Sequence, residues 1–266
     1  MRKTSTTKRP KRFIVSPDSH NFVGRIYDLS VVGMYFESYD EVIKYSDAKY
    51  VLGVNERTTL LARRVESLNH VGDLLWPEPP IQIETLPISA YDFCNLIQDA
   101  FLMRTISILD CCCLLAVEVL ELNIKPRDAK IEKIKNLSAN HPCCAKLQAL
   151  SDLQQDLRTE RNVRFHRGEE ETLTDDDTTF QMVARFKYIG QGMKGTDRHG
   201  REINLKRSYD EAINRLRKKF RVNIKGLSSS LDDFYDELSR EFEKRFRIKF
   251  RAEGSFGHIH GVFGDK

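Results

Sequence analysis

Arg158-Thr-Glu-Arg161-Asn162-Val-Arg164-Phe165-His166-Arg167-Gly168 is the stretch on which the reading of this chain turns. It closes a helical pattern, and it gathers four arginines and a histidine that neither a buried helix nor a plainly solvated one needs. Upstream, Leu147, Leu150, Leu153 and Leu157, then Phe165, fall in one stripe at 100° per residue. Arg161 lies on that apolar stripe. Its fixed charge must meet a phosphate, a carboxylate or a second chain, or snorkel from the helix end, because burying it unpaired costs several kcal/mol. Asn162 and His166 are four apart and share another face. Gly168 suits the left-handed residue that ends a helix, which puts His166 in the last turn, where the helix dipole favours a cation. An ideal helix separates Arg161 from His166 by roughly 140° and about 7.5 Å of rise, so a single α-helix does not by itself make a whole site.

Working outward, Ser89 and Asp92 form a capping box, and a long apolar helix is expected from there to about residue 122, with Phe93, Ile97, Phe101, Ile108, Cys112, Leu115 and Val119 inward. Arg104 and Asp110 interrupt it, either as an ion pair or as support for His166. A short helix follows at 127–137, and Asn140-His141-Pro142 opens the helix that carries the motif. Past Gly168, Glu169, Glu170 and Glu171 would repel a phosphate backbone and suit a basic surface on a partner or sister chain. Thr174 with Asp175 to Asp177 reads as an acidic helix start. Residues 190–204, with Gly190, Gly192, Gly195 and Gly200, predict a loop or small hairpin without nucleotide-binding spacing.

Two further helices are expected at 208–220 and 231–250. Their cations, Arg215, Lys218, Lys219, Arg221, Lys225, Lys244, Arg247 and Arg251 among them, form either a nucleic-acid footprint or a solvated face balanced by nearby carboxylates. The stretch 253–266, including His258 and His260, reads as a flexible tail, and 1–20, with Arg2, Lys3, Lys8, Arg9, Lys11 and Arg12, as a mobile basic arm. Residues 21–80 look mainly helical, with a possible extended piece at 49–54 and with Val31, Met34, Tyr35, Val42, Tyr45, Leu60, Leu61, Val65, Leu68 and Leu75 as inward candidates. The prolines between Trp76 and Pro87 mark a boundary.

The chain has 266 residues, 40% of them hydrophobic, and a net charge of +4. That is enough for a real core, but too little charge to establish a nucleic-acid partner without local clustering. No secretory signal and no uninterrupted apolar run of membrane length stands out, which leads to the expectation of a cytoplasmic protein without a membrane partner. The six cysteines, Cys94, Cys111, Cys112, Cys113, Cys143 and Cys144, read as small core residues of a reducing compartment. The alternative is zinc bound through His141, Cys143 and Cys144.

Arg161-Asn162-Val-Arg-Phe-His166 resembles the arginine, polar residue, spacer, histidine signature of HEPN domains (higher eukaryotes and prokaryotes nucleotide-binding), over roughly residues 89–189. The resemblance implies an all-α helical bundle at 87–190, here flanked by helical regions at 21–80 and 205–252. It also implies a metal-independent endoribonuclease whose site is completed across a homodimer. Arg161, Asn162 and His166 would then be catalytic, and Arg158, Arg164 and Arg167 would bind RNA. No cofactor or metal is implied. Family habit adds a toxin or anti-phage role, with an antitoxin or defence partner. The alternative is a non-catalytic HEPN-like module for RNA binding or protein assembly, in which Arg161 and His166 pair with the glutamates at 169 to 171 across an interface.

Overall fold

The computed structural model describes residues 20–138 and 141–260, so most of the expected basic arm, Asn140 and the last six residues lie outside it. Among the described residues it is all-α, with one isolated antiparallel bridge, Thr196 to Glu202, in the expected 190–204 loop. The helices are α1 Asn21–Ser30, α2 Tyr39–Val42, α3 Ser46–Leu75, α4 Ala90–Val119, α5 Ile131–Leu137, α6 Pro142–Leu153, α7 Gln155–Asn162, α8 Asp177–Tyr188, α9 Leu205–Arg251 and α10 Phe256–His260.

α3 and α4 lie side by side and antiparallel. Tyr50, near the start of α3, donates its hydroxyl to the Val119 carbonyl at the end of α4, at 2.9 Å. α4 starts as its sequence predicts: Ser89 Oγ accepts from the Asp92 amide and donates to its carboxylate. By length and composition α4 could cross a membrane, yet most of its apolar residues are packed inside the bundle. Residues 49–54 belong to α3, which carries Val51, Val54, Leu61, Val65 and Leu68 into the core. Val31, Met34 and Tyr35 do not go inward. They sit on a 3₁₀ turn after α1 and are exposed, Met34 by 85%, because the tighter winding rotates them off the α1 stripe.

Where two C-terminal helices were expected there is one, α9, of 47 residues and about 70 Å. Gly226 and Ser228 to Ser230 are weak helix formers, which suggests a break. Packing overrides them: Phe220, Ile224, Leu227, Leu231, Phe234 and Leu238 are all buried at helical spacing. Gly226 also lets Leu153 approach, for a Cβ there would sit 2.9 Å from its Cδ1.

The chain after α9 does not run free as a tail up to residue 260. Asp47, fully buried at the start of α3, accepts the amides of Phe256 at 3.0 Å and Gly257 at 2.9 Å. Phe256 packs against Tyr35, Phe36 and Tyr45. The cysteines are free and buried. His141 caps α6 through Nδ1, and no group of three metal-ligating side chains occurs among the described residues.

Candidate functional site

The motif does not end a single α-helix. Gln154 is buried and donates to the Thr105 carbonyl of α4 at 2.8 Å, and the backbone breaks there between α6 and α7. After Asn162 the chain widens into a π-turn, Val163–Arg167, and Gly168 closes it at φ 71°. Arg161 lies in α7, two residues before this turn, and lines a groove with Arg158 and Asn162, whereas His166 lies within the turn, exposed and outside that lining. Single π-turns cost regular hydrogen bonding, and they are frequent at functional sites.

The arginines, three residues apart, are rotated to different surroundings. Arg158 and Arg161 are partly buried and line a groove of about 350 Å³ with Asn162, Asp110 of α4 and Lys130 just before α5. Arg164 turns inward instead, with a side chain 5% exposed. It donates through Nε to Asp99 and through Nη2 to Asn95 at 3.2 Å, and Glu170 lies 3.9 Å away. The expectation that Arg164 grips a flanking phosphate is therefore corrected: it ties the π-turn to α4. Arg167 and His166 face solvent, and neither makes a side-chain hydrogen bond or ion pair among the described residues.

Two polar clusters brace this turn. In the first, Glu170 accepts from Tyr91, which also donates to Asp177, each at 3.2 Å. Burial, with the nearby carboxylates adding to it, pushes the Tyr91 hydroxyl up to about 12, so it stays a donor. In the second, Lys219 of α9 bonds both Glu160 and Glu171, while the buried Gln98 donates to Glu160 at 3.0 Å. The residues just before Arg161 and just after Gly168 are thus fixed to α4 and α9. Glu170 and Glu171 are used inside the chain, where a partner's basic surface was the expectation.

Asp110 faces Arg158 and Arg161. Burial raises its carboxyl above the ordinary value, and the two guanidiniums pull it back in part. Asp92, Asp99 and Asp110, at spacings of seven and eleven, lie within about 20° of one another on α4. All three meet arginine: Asp92 pairs with Arg185 at 3.5 Å, Asp99 with Arg164, and Asp110 fronts the groove. That carboxylate stripe was visible in the sequence, whereas Lys130, Gln98 and Lys219 carried no signal of their role.

A family model described as HEPN_Cthe2314-like HEPN matches residues 82–223. No curated protein and no solved structure matches the chain. The match covers more than half of the chain, from the turn before α4 through the first part of α9, and contains the whole of the braced π-turn. The chain belongs to the HEPN family.

Proposed function

We propose that this protein is a metal-independent endoribonuclease. What supports the reading is the motif segment itself: a π-turn braced on both sides by Lys219 within the HEPN-family region, with Arg161 lining a groove beside Asp110 and with His166 exposed and free of any hydrogen bond or ion pair among the described residues. The 2′-hydroxyl of the RNA attacks the adjacent phosphorus and the bond to the 5′-oxygen breaks, leaving a 2′,3′-cyclic phosphate and a 5′-hydroxyl. The nucleophile belongs to the substrate, so the protein has to move protons and stabilise charge. His166 acts as general acid or base. The donor fork of Arg161 stabilises the phosphorane oxygens, and Asn162 hydrogen-bonds the phosphate or orients the imidazole. Arg158 and Arg167 hold neighbouring phosphates. DNA lacks the attacking hydroxyl and survives.

The site works as a dimer. Leu96 and Met103 are exposed on the face of α4 that receives Arg164, and Phe165 of the π-turn is 48% exposed. These apolar side chains beside the motif suit a second copy of the chain. The cytoplasm and a toxin or anti-phage role, with a protein that restrains the activity, complete the proposal. Of the glutamates that the non-catalytic alternative pairs across an interface, Glu170 lies 3.9 Å from Arg164 and Glu171 bonds Lys219 within the chain, while Glu169 makes no ion pair among the described residues.

The test is cleavage of mixed single-stranded RNAs in EDTA by wild type, His166→Ala and Arg161→Ala, with size-exclusion chromatography of each. Cleavage lost at least 100-fold in both variants, with the dimer retained, is the expected result. A folded wild type that cleaves nothing, with variants changed only in association, would leave the non-catalytic module.

A further inference from the structure

The groove beside the π-turn holds two kinds of unmet demand. The Nε–H groups of Arg158 and Arg161 are buried and have no acceptor among the described residues. Buried donors are almost always satisfied in folded proteins, and these two belong to guanidiniums that line a groove in which the described residues supply them no acceptor. Opposite them Asp110 reaches solvent in the groove while protein crowds it from behind, and its carboxylate accepts no hydrogen bond among the described residues. Two donors thus lack an acceptor, and Asp110, the carboxylate whose charge both arginines act on, lacks a donor, as does Glu132 further along the lining, in a space of about 350 Å³. That lies within the size range of small-ligand sites.

We propose that this groove seats one ribonucleotide of the RNA strand, with phosphate oxygens accepting from Arg158 and Arg161 and the ribose 2′-hydroxyl donating to Asp110. The inference rests on the reading of the site as RNA-directed, and it names the residue that tells RNA from DNA. A carboxylate in a phosphate-binding groove repels every nucleic acid. Only a strand that carries a hydroxyl donor recovers what the repulsion costs, so Asp110 selects by penalising the wrong ligand as well as by rewarding the right one. Lys130, at the groove wall, offsets part of the repulsion for both, and Glu132 in the same lining adds to it for both, so neither changes the ratio between them.

Binding, and not cleavage, is the test. A fluorescent single-stranded RNA and the DNA of the same sequence are titrated by anisotropy against His166→Ala protein, alone and combined with Asp110→Ala or Asp110→Asn. Wild-type cleavage of the same RNA is measured in parallel. Asp110→Ala is expected to tighten DNA binding and to lower the RNA-to-DNA affinity ratio about tenfold, the scale of one hydrogen bond to a charged group. The nearly isosteric Asp110→Asn keeps an acceptor and should fall between. Arg158→Ala should weaken RNA and DNA alike and reduce the salt slope by about one. A ratio unchanged in both Asp110 variants, or equal affinity for RNA and DNA before substitution, overturns the proposal. Absence of cleavage by the wild type would sink the nuclease reading alone, since the affinity ratio does not depend on chemistry.

Discussion

Arg164 and Arg167 stand three positions apart in one turn and do opposite work. Arg164 is buried against Asp99 and Asn95, so its removal strands a carboxylate in a crowded place. Breaking a buried pair costs about 3–5 kcal/mol, and the partial exposure of Asp99 puts this one at the lower end. Arg164→Ala should therefore cost about 3 kcal/mol and lower Tm by several degrees, as read by thermal denaturation. Any loss of cleavage in that variant would follow from a displaced π-turn. Arg167 is exposed and makes no hydrogen bond or ion pair through its side chain among the described residues, so Arg167→Ala should stay within about 0.5 kcal/mol of wild-type stability. It should instead weaken RNA binding and reduce the salt slope by about one. The reverse pattern in the two variants would refute this division. Sequence showed four similar arginines; which one turns inward depended on where α4 offered a carboxylate.

At the scale of elements, the π-turn is held by α9 as much as by its own helix. Lys219 bonds Glu160 and Glu171 on either side of the motif. Burial would raise the Glu171 carboxyl, but the Lys219 ammonium outweighs it and holds the group below its ordinary value of 4.5. A lowered folded-state pKa means stability that is present above about pH 4.5 and lost as pH falls through the lowered value. Thermal melts across acid pH should show that loss in wild type, and Lys219→Met should flatten it; identical pH profiles would remove the clasp from the account. Gly226 makes the opposite kind of point about α9. An added Cβ meets only the end of Leu153, which is 36% exposed and can swing aside. The gain in helix propensity, about 1 kcal/mol, should win, so Gly226→Ala raises Tm slightly, while a β-branched Gly226→Val lowers it.

One core runs through the whole molecule, from Phe22 of α1 to Phe256 of α10. Its closure at the C-terminal end depends on Asp47, whose buried carboxylate is satisfied by the amides of Phe256 and Gly257. Phe256→Ala should cost about 3–5 kcal/mol, by loss of buried area and cavity formation. Hydrogen exchange should then rise in the first turns of α3, far from the motif. A variant with wild-type protection there would show that the C-terminal segment only rests on the bundle. The sequence suggested the reverse, because glycines near a chain end read as flexibility; a single buried aspartate 209 residues away changes that.

What the sequence determined by itself was local: helix periodicity, the capping box at Ser89, the left-handed stop at Gly168, the buried cysteines and the motif that identifies the family. Each depends on neighbours within a turn or two, where spacing and side-chain chemistry act directly. The continuity of α9, the break at Gln154, the π-turn, the inward course of Arg164 and the placing of Asp110 against Arg158 and Arg161 were decided only by tertiary structure. In each of these a partner distant in the chain supplies a charge, a carbonyl or a packing surface stronger than the local preference, and local sequence carries no record of where that partner will lie.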